Sequence, residues 1–417
     1  MVTIHQSLAT NAPAYNDLTY VVSSSNVAQQ NFRFVADIYI SGVTGYFRQK
    51  KAPHPTYSTG IFDIHRIMEN YVSHDIDIST YSFQRNTNSF RQYQVKFGEE
   101  YGISSGITVN AALTTASSGE VFNAALGFIQ FKNFNIGQYR MGGVGSLFLT
   151  AAPSPQRIKV GENAWLHMIQ NTSGNVYYAQ VSTYTSSDGS GSALATYRII
   201  NPYPDSDANI NNKYLRFGSG TNNLPYITEG EMLYPFSIAG NGMAIINNSV
   251  NSYSVKILNA SFTVMSETRV YKVERGCSKY DEYRLHFLNK LGGFDSFTFN
   301  MITVESTDIS RTLFKKSVGT ATATTFTYDK SDKENQELSV SYQDSILFES
   351  DWITETEGTW LEELVHSPVV FIDDVNSGLL PINITKVRHV KRKANVDKIF
   401  NLQIEAKYSH NNFRQRG

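Results

Sequence analysis

The chain has 417 residues, of which 41% are hydrophobic, 13% aromatic and only 18% charged. This is apolar material enough for about two or three folded domains, and it excludes a disordered, coiled-coil or collagen-like chain. Lys+Arg 36 against Asp+Glu 37 leaves a net charge of −1, so no basic excess speaks for a nucleic-acid partner. No run approaches the roughly 18 apolar residues of a membrane-spanning helix.

Residues 1–30 are polar and rich in Asn, Ser and Gln. Met1 to Asp17 lack the basic and apolar regions of a secretory signal. This stretch reads as an extended N-terminal arm, either draped over its own domain or reaching a neighbouring subunit. Phe32, Phe34, Ala36, Ile38 and Ile40 then alternate with Arg33, Val35, Asp37 and Tyr39, a strand with one buried face. Ser41-Gly42 ends it, and Gly45–Arg48 reads as the return limb of a hairpin.

Ile61, Ile64, Met68, Tyr71 and Val72 recur at helical spacing behind Thr59 as N-cap, with Asp63 in the first turn. Gln92–Gly98 reads as the next strand. A β-rich region with one short helix thus covers 31–102. Residues 103–144 carry only Glu120, Lys132 and Arg140 as charges, the pattern of a buried crossover or of an interface covered by another subunit. From 145 to 276, short alternating strands separated by Gly, Ser, Asn and Asp clusters suggest an immunoglobulin-like β-sandwich, with Trp165 in its core.

Residues 277–417 form a second β-rich region with one short helix. They open with Cys277, the single cysteine, which excludes intramolecular disulfides, speaks against a cysteine-based zinc site and fits folding in a reducing cytoplasm. Tyr283–Leu288 and Phe294–Phe299 flank Asn289-Lys290-Leu291-Gly292-Gly293, a hairpin signal with glycine for the left-handed positions. Thr354 and Glu357 are spaced as a capping box for a helix with Trp360, Leu361 and Leu364 on its apolar face, stopped by Pro368. Val369–Ile372 and Ile399–Tyr408 close the chain as strands. The predicted fold is mainly β and multi-domain: an immunoglobulin-like sandwich between two β-rich regions.

No phosphate loop, dinucleotide fingerprint, HExxH or GxSxG elbow occurs. The predicted site residues are accordingly none: no catalytic, cofactor-binding or metal-binding set, no cofactor, and no enzyme. The weaker patterns each have a plainer reading. His65 and Glu69, four apart, read as a solvated pair before a metal pair. His286 reads as a sheet-face histidine. Glu99-Glu100, Asp75 and Asp77 offer glycosidase-type carboxylates, but neighbours on a strand point to opposite faces. Asp329, Asp332 and Glu334 form a solvated loop lacking calcium-loop spacing, and Asp373-Asp374 with Asn376 and Gly378 a hairpin turn. Lys386, Arg388, Lys391, Arg392 and Lys393 read as a charged strand edge, with phosphate, an acidic glycan or an acidic partner as alternatives.

Cys277–Tyr280 with Tyr283–Phe297, Asn31–Phe34 with Asp37–Tyr39, Phe62–Ile64 with Glu69–Val72, and Asp351-Trp352 to Ser367-Pro368 with the final strand carry a resemblance. Over most of its length the chain resembles virion-associated proteins of tailed bacteriophages and prophages of Bacteroidetes and related marine bacteria. The layout is also similar to distal-tail and baseplate-hub proteins, a likeness of architecture. The resemblance brings no catalytic residues. It implies a structural tail or baseplate protein, assembled in the host cytoplasm into a virion as a homo-oligomer (ring or trimer) with other virion proteins. Residues 1–30 and 103–144 are the expected interfaces, with Tyr203, Tyr214 and Tyr226 as exposed aromatics. The alternatives are a receptor- or glycan-binding module using the loops around 201–235, a neck or capsid-associated protein, and a cell-wall or capsule hydrolase.

Overall fold

The computed structural model describes residues 2–8, 10–78, 82–103, 106–224, 232–233, 244–276, 278–374, 376–389 and 399–414. The side chains of 106–112, 114, 232–233, 388–389 and 399–400 are not part of that description. The fold is mainly β, 47% strand and 8% helix, in several sheets with few short helices. The chain divides into two compact units, one of Met1–Arg275 with Leu288–Asp295, the other of Gly276–Phe287 with Ser296–Gly417.

In the first unit, Arg33–Ile40 sits inside a five-stranded sheet ordered Ala12–Pro13, Gly106–Phe122, Phe90–Ile103, Arg33–Ile40, Phe47–Lys51. Phe34, Ala36, Ile38 and Ile40 are buried as their alternation requires, and they share a core with Tyr20, Val22, Phe62, Ile64 and Met68. Three of these come from a small sheet of Val2–Gln6, Thr19–Ser24 and Gly60–Asp63. Residues 1–30 take the first of the two courses open to such an arm and pack on their own unit, as strands rather than a loose terminus. Val2, Ala12, Ala14, Leu18, Tyr20 and Val22 are core residues, because burying them stabilises the chain more than leaving them in water.

The helix expected at 61–72 is also corrected. Gly60–Asp63 is a strand, and only His65–Met68 and Glu69–Tyr71 turn, as one α-turn and one 3₁₀-turn. Thr59 caps nothing here; the Asp63 carboxylate accepts the His65 N–H at 3.1 Å and the Leu18 N–H at 3.0 Å. A short helix that was not anticipated, Phe128–Lys132, lies in the low-charge stretch.

The rest of the first unit holds two sheets on one core. One is ordered Arg140–Met141, Trp165–Gln170, Tyr214–Gly218, Phe83–Arg85. The other is ordered Gln156–Lys159, Arg269–Glu274, Ser252–Leu258, Tyr178–Tyr184, Ala195–Ile200, Met232–Leu233. Leu166, Met168, Leu215 and Phe217 of the first meet Val181, Ile199, Val255 and Tyr271 of the second. Trp165 is buried but lies on the other side of its strand: side chains alternate, and Leu166 and Met168 take the shared core.

Leu288–Asp295 is the turn of the expected hairpin. Asn289 organises it, its Oδ1 accepting from Leu291 and Gly293 N–H and its Nδ2 donating to Leu149 O at 2.9 Å. Gly292 has φ +82°, and a Cβ there would run into the Asn123 carbonyl. Only glycine meets both conditions.

The second unit is built on one large sheet, ordered Phe294–Phe299, Tyr283–Leu288, Val370–Asp374, Gly378–His389, Leu402–Tyr408, Asn335–Glu349, Val304–Lys315. Its helix, Glu355–His366, starts at the expected capping box, Thr354 and Glu357 each satisfying the other's backbone N–H. Trp360, Leu361 and Leu364 are buried, and the Trp360 ring lies 5.8 Å from Phe287 and 6.1 Å from Phe297. Leu402, Ile404 and Ala406 alternate inward along the last long strand.

Candidate assembly surfaces

The second unit leaves one long edge open. Val304–Lys315 is the terminal strand of its sheet, pairing with Asn335–Glu349 over its whole length. All twelve of its residues are exposed, so neither face of the strand is covered. Ile309 is 57% exposed, Leu313 59% and Phe314 40%. A folded chain that covers an apolar side chain on neither face, and leaves the outer backbone N–H and C=O groups unpaired, offers a template for another strand. Its charges meet neighbours within the sheet: Arg311 pairs with Glu337, Lys315 with Glu334 at 2.7 Å, Asp308 with Lys407 at 2.5 Å. The Tyr283 hydroxyl donates to Glu305 at 3.1 Å.

In the first unit the low-charge stretch divides. Gly106–Phe122 pairs along Phe90–Ile103, and Phe122, Ala124 and Leu126 are core, with Phe131 and Phe134 packed partly against them. Phe128 and Ile129, on the outer side of the short helix, are 71% and 75% exposed. Val144 is likewise exposed.

The carboxylates weighed for catalysis are engaged separately. Glu99 accepts from Ser24 and from Asn26 at 2.6 Å, while Glu100 meets Lys50 at 2.6 Å. Burial would raise the Glu99 carboxyl, but those hydrogen bonds outweigh it and hold the group below the usual range. Asp75 accepts from the backbone and side chains of Asn88 and Ser89 and fixes a turn. His65 faces Asp63, Nδ1 to Oδ2 2.6 Å, and Glu69 turns to Arg66. Asp17, Asp63 and His65 lie close enough to share an ion, yet the Asp63 oxygens already serve the backbone and the imidazole.

In the second unit His286 lies between Ser296 Oγ at 2.7 Å and Asp373 Oδ2 at 3.1 Å. This Ser–His–Asp run was not anticipated; the three residues are polar positions on neighbouring strands. The imidazole is fully buried and Ser296 nearly so, so the hydroxyl offers no accessible nucleophile and the run serves as internal pairing. Asp329 N–H is bonded to Asp332 and Ser377 N–H to Asp374, whereas Asp373 belongs to the strand Val370–Asp374 and not to the turn.

Lys386 meets Glu405 at 3.1 Å, on a strand segment paired on one side only beyond Ile382. The Arg388 side chain, Lys391, Arg392, Lys393, Tyr226 and Cys277 lie outside the described residues. Tyr214 is a correction: it is buried, its hydroxyl accepting from Asn11 at 2.9 Å. Tyr203 is half-buried beneath the Arg85 guanidinium, 4.3 Å from its ring.

A buried polar network in the first unit was also missed. Asn86 joins His167 Nδ1 at 2.9 Å to the Arg216 guanidinium at 2.8 Å. Burial, with the Arg216 charge adding to it, pushes the His167 imidazole down to about 3. The sequence signal was the alternation of His167 and Arg216 with apolar neighbours.

No helix among the described residues is long and apolar enough to cross a membrane. No protein-family model matches the chain, and no curated protein does. Among solved structures, the chain is similar to a protein of the anti-feeding prophage baseplate, at 10% identity and a TM-score of 0.18, over 34% of this chain and 97% of that one. It is also similar to one from the tail of an empty GTA particle, at 9% identity and a TM-score of 0.19, over 32% of this chain and 96% of that one.

Proposed function

We propose that the chain is a structural component of a tailed-phage virion, in the tail or baseplate. It acts by assembling with further copies of itself and with other virion proteins. The observation that carries this reading is the open edge Val304–Lys315, twelve exposed residues with apolar side chains among them. An edge of this length is a liability in a protein that stays alone and a joint in one that assembles. The virion resemblance of Asn31–Tyr39, Cys277–Phe297 and Asp351–Pro368 supports the same reading, and Phe128 and Ile129 offer a second apolar contact.

On this reading the paired sheets of the first unit form an immunoglobulin-like sandwich. Its support is the strand order: first strand beside last, then the strand before it, then the central hairpin, with the second strand in the facing sheet. A cryo-electron map of a particle carrying the chain tests the assignment. Density for several copies in the tail or baseplate is expected. A particle that is complete and infective without the chain would overturn it.

A further inference from the structure

The open edge has a charge order that singles out its partner. Along Val304–Lys315 the side chains alternate between two faces. Glu305, Thr307, Ile309, Arg311, Leu313 and Lys315 share one face, so acid stands at one end of that face and base at the other. The irregularity in its pairing with Asn335–Glu349 falls on the neighbour, which skips Leu338, so this alternation runs unbroken. An antiparallel partner of the same sequence would lay the acidic end of each strand against the basic end of the other.

We infer that Val304–Lys315 pairs antiparallel with the same strand of a second copy across a two-fold axis, joining two sheets into one. The inference rests on the assembly reading for one thing, that copies of this chain meet. A two-fold axis normal to the sheet keeps each face on its own side, so residues opposite one another are both odd or both even in number. This leaves few registers. An axis at Asp308 or at Arg311 sets that charge against itself. An axis at Ile309 brings no opposite charges together. An axis at Ser310 sets Glu305 of each copy opposite Lys315 of the other, at both ends, and draws Ile309, Leu313 and Phe314 into the seam.

Lys315 is three-quarters exposed and Arg311 about half, despite their pairs within the chain. Exposed pairs of this kind are weak and rearrange readily. The new ladder satisfies backbone groups that water alone now serves. Among the described residues, nothing else pairs with this edge.

The test is light scattering on the full chain with three variants. The unaltered protein is expected at twice the chain mass. Lys315→Glu should weaken self-association by about tenfold, since it makes two like-charge pairs. Glu305→Lys with Lys315→Glu should restore it, which separates the effect from misfolding. In a Cys277→Ser background, Ser310→Cys should cross-link to itself on oxidation, because residues facing each other across a ladder fall within disulfide reach. A monomer at every concentration, or a dimer indifferent to both charge changes, would overturn the inference. Either result leaves the tail or baseplate reading to the particle map, where copies meeting through other surfaces would sustain it.

Discussion

Two strands of this protein differ in how many neighbours they have and in how much of each is covered. Arg33–Ile40 has a strand on each side and is buried at all but two of its eight positions. Val304–Lys315 has a strand on one side and is exposed throughout. Both are rich in β-formers, so propensity does not separate them. The difference lies in what each strand still lacks once the chain has folded. The first is complete. The second leaves backbone groups and apolar side chains in water.

The sharpest way to break the comparison is to truncate one side chain in each. Phe34→Ala removes a ring from the closed core and should cost about 3–5 kcal/mol. Ile309→Ala should leave the stability of the isolated chain within about 0.5 kcal/mol while weakening self-association. Chemical denaturation of both variants in dilute solution measures the contrast, and equal losses would show that the edge is already part of a core.

Gly292→Ala comes next. The left-handed φ and the Asn123 carbonyl together should make it cost about 3 kcal/mol, read as a lower denaturation midpoint. The same substitution at Gly42, also left-handed but with open space around it, should cost less.

A pH series sharpens the comparison further, because the first unit also buries a histidine, His167 on Trp165–Gln170, while the open strand has none. Unfolded, the imidazole titrates near its ordinary 6.5; folded, it is held down to about 3. Between those values the unfolded state binds a proton that the folded state refuses. Its contribution is therefore complete above pH 6.5 and is lost as pH falls towards 3, by up to about 1.4 kcal/mol per pH unit. His167→Gln should flatten that part of the stability–pH curve. An unchanged slope would place the acid sensitivity elsewhere.

The smallest effect is expected at the second unit's helix, where Thr354→Ala removes half of the capping box and should cost about 1 kcal/mol. Thermal unfolding would register it as a shift of a few degrees.

Much of the closed half of this comparison was legible in the sequence, and the open half was not. Period-two alternation marks a strand because one face is buried and the other wet. It located Leu402–Tyr408, where one face alone is buried, and also Arg33–Ile40 and Tyr283–Leu288, whose second faces are largely covered as well. Val304–Lys315 is wet on both faces, so Glu305, Ser306, Thr307 and Asp308 follow one another without alternation and no strand was read there. The capping box at Thr354 was legible because it is local chemistry. Residues 61–72 misled because Ile64 and Met68 do share one turn, while Ile61 belongs to a strand whose partner, Thr19–Ser24, is distant in sequence. The strands within residues 1–30 were illegible for the converse reason. Their polar composition masked the alternation of Leu18, Tyr20 and Val22. The expected interface at 103–144 names the stretch that exposes Phe128 and Ile129, while the open edge fell outside every predicted surface.

The most direct test is amide hydrogen exchange along Val304–Lys315, in the dilute chain and in the particle that carries it. The expected result is fast exchange at the outward-facing amides of the dilute chain and strong protection of the same amides in the particle. Equal exchange in both states would contradict the central claim that this edge is the joint by which the protein assembles.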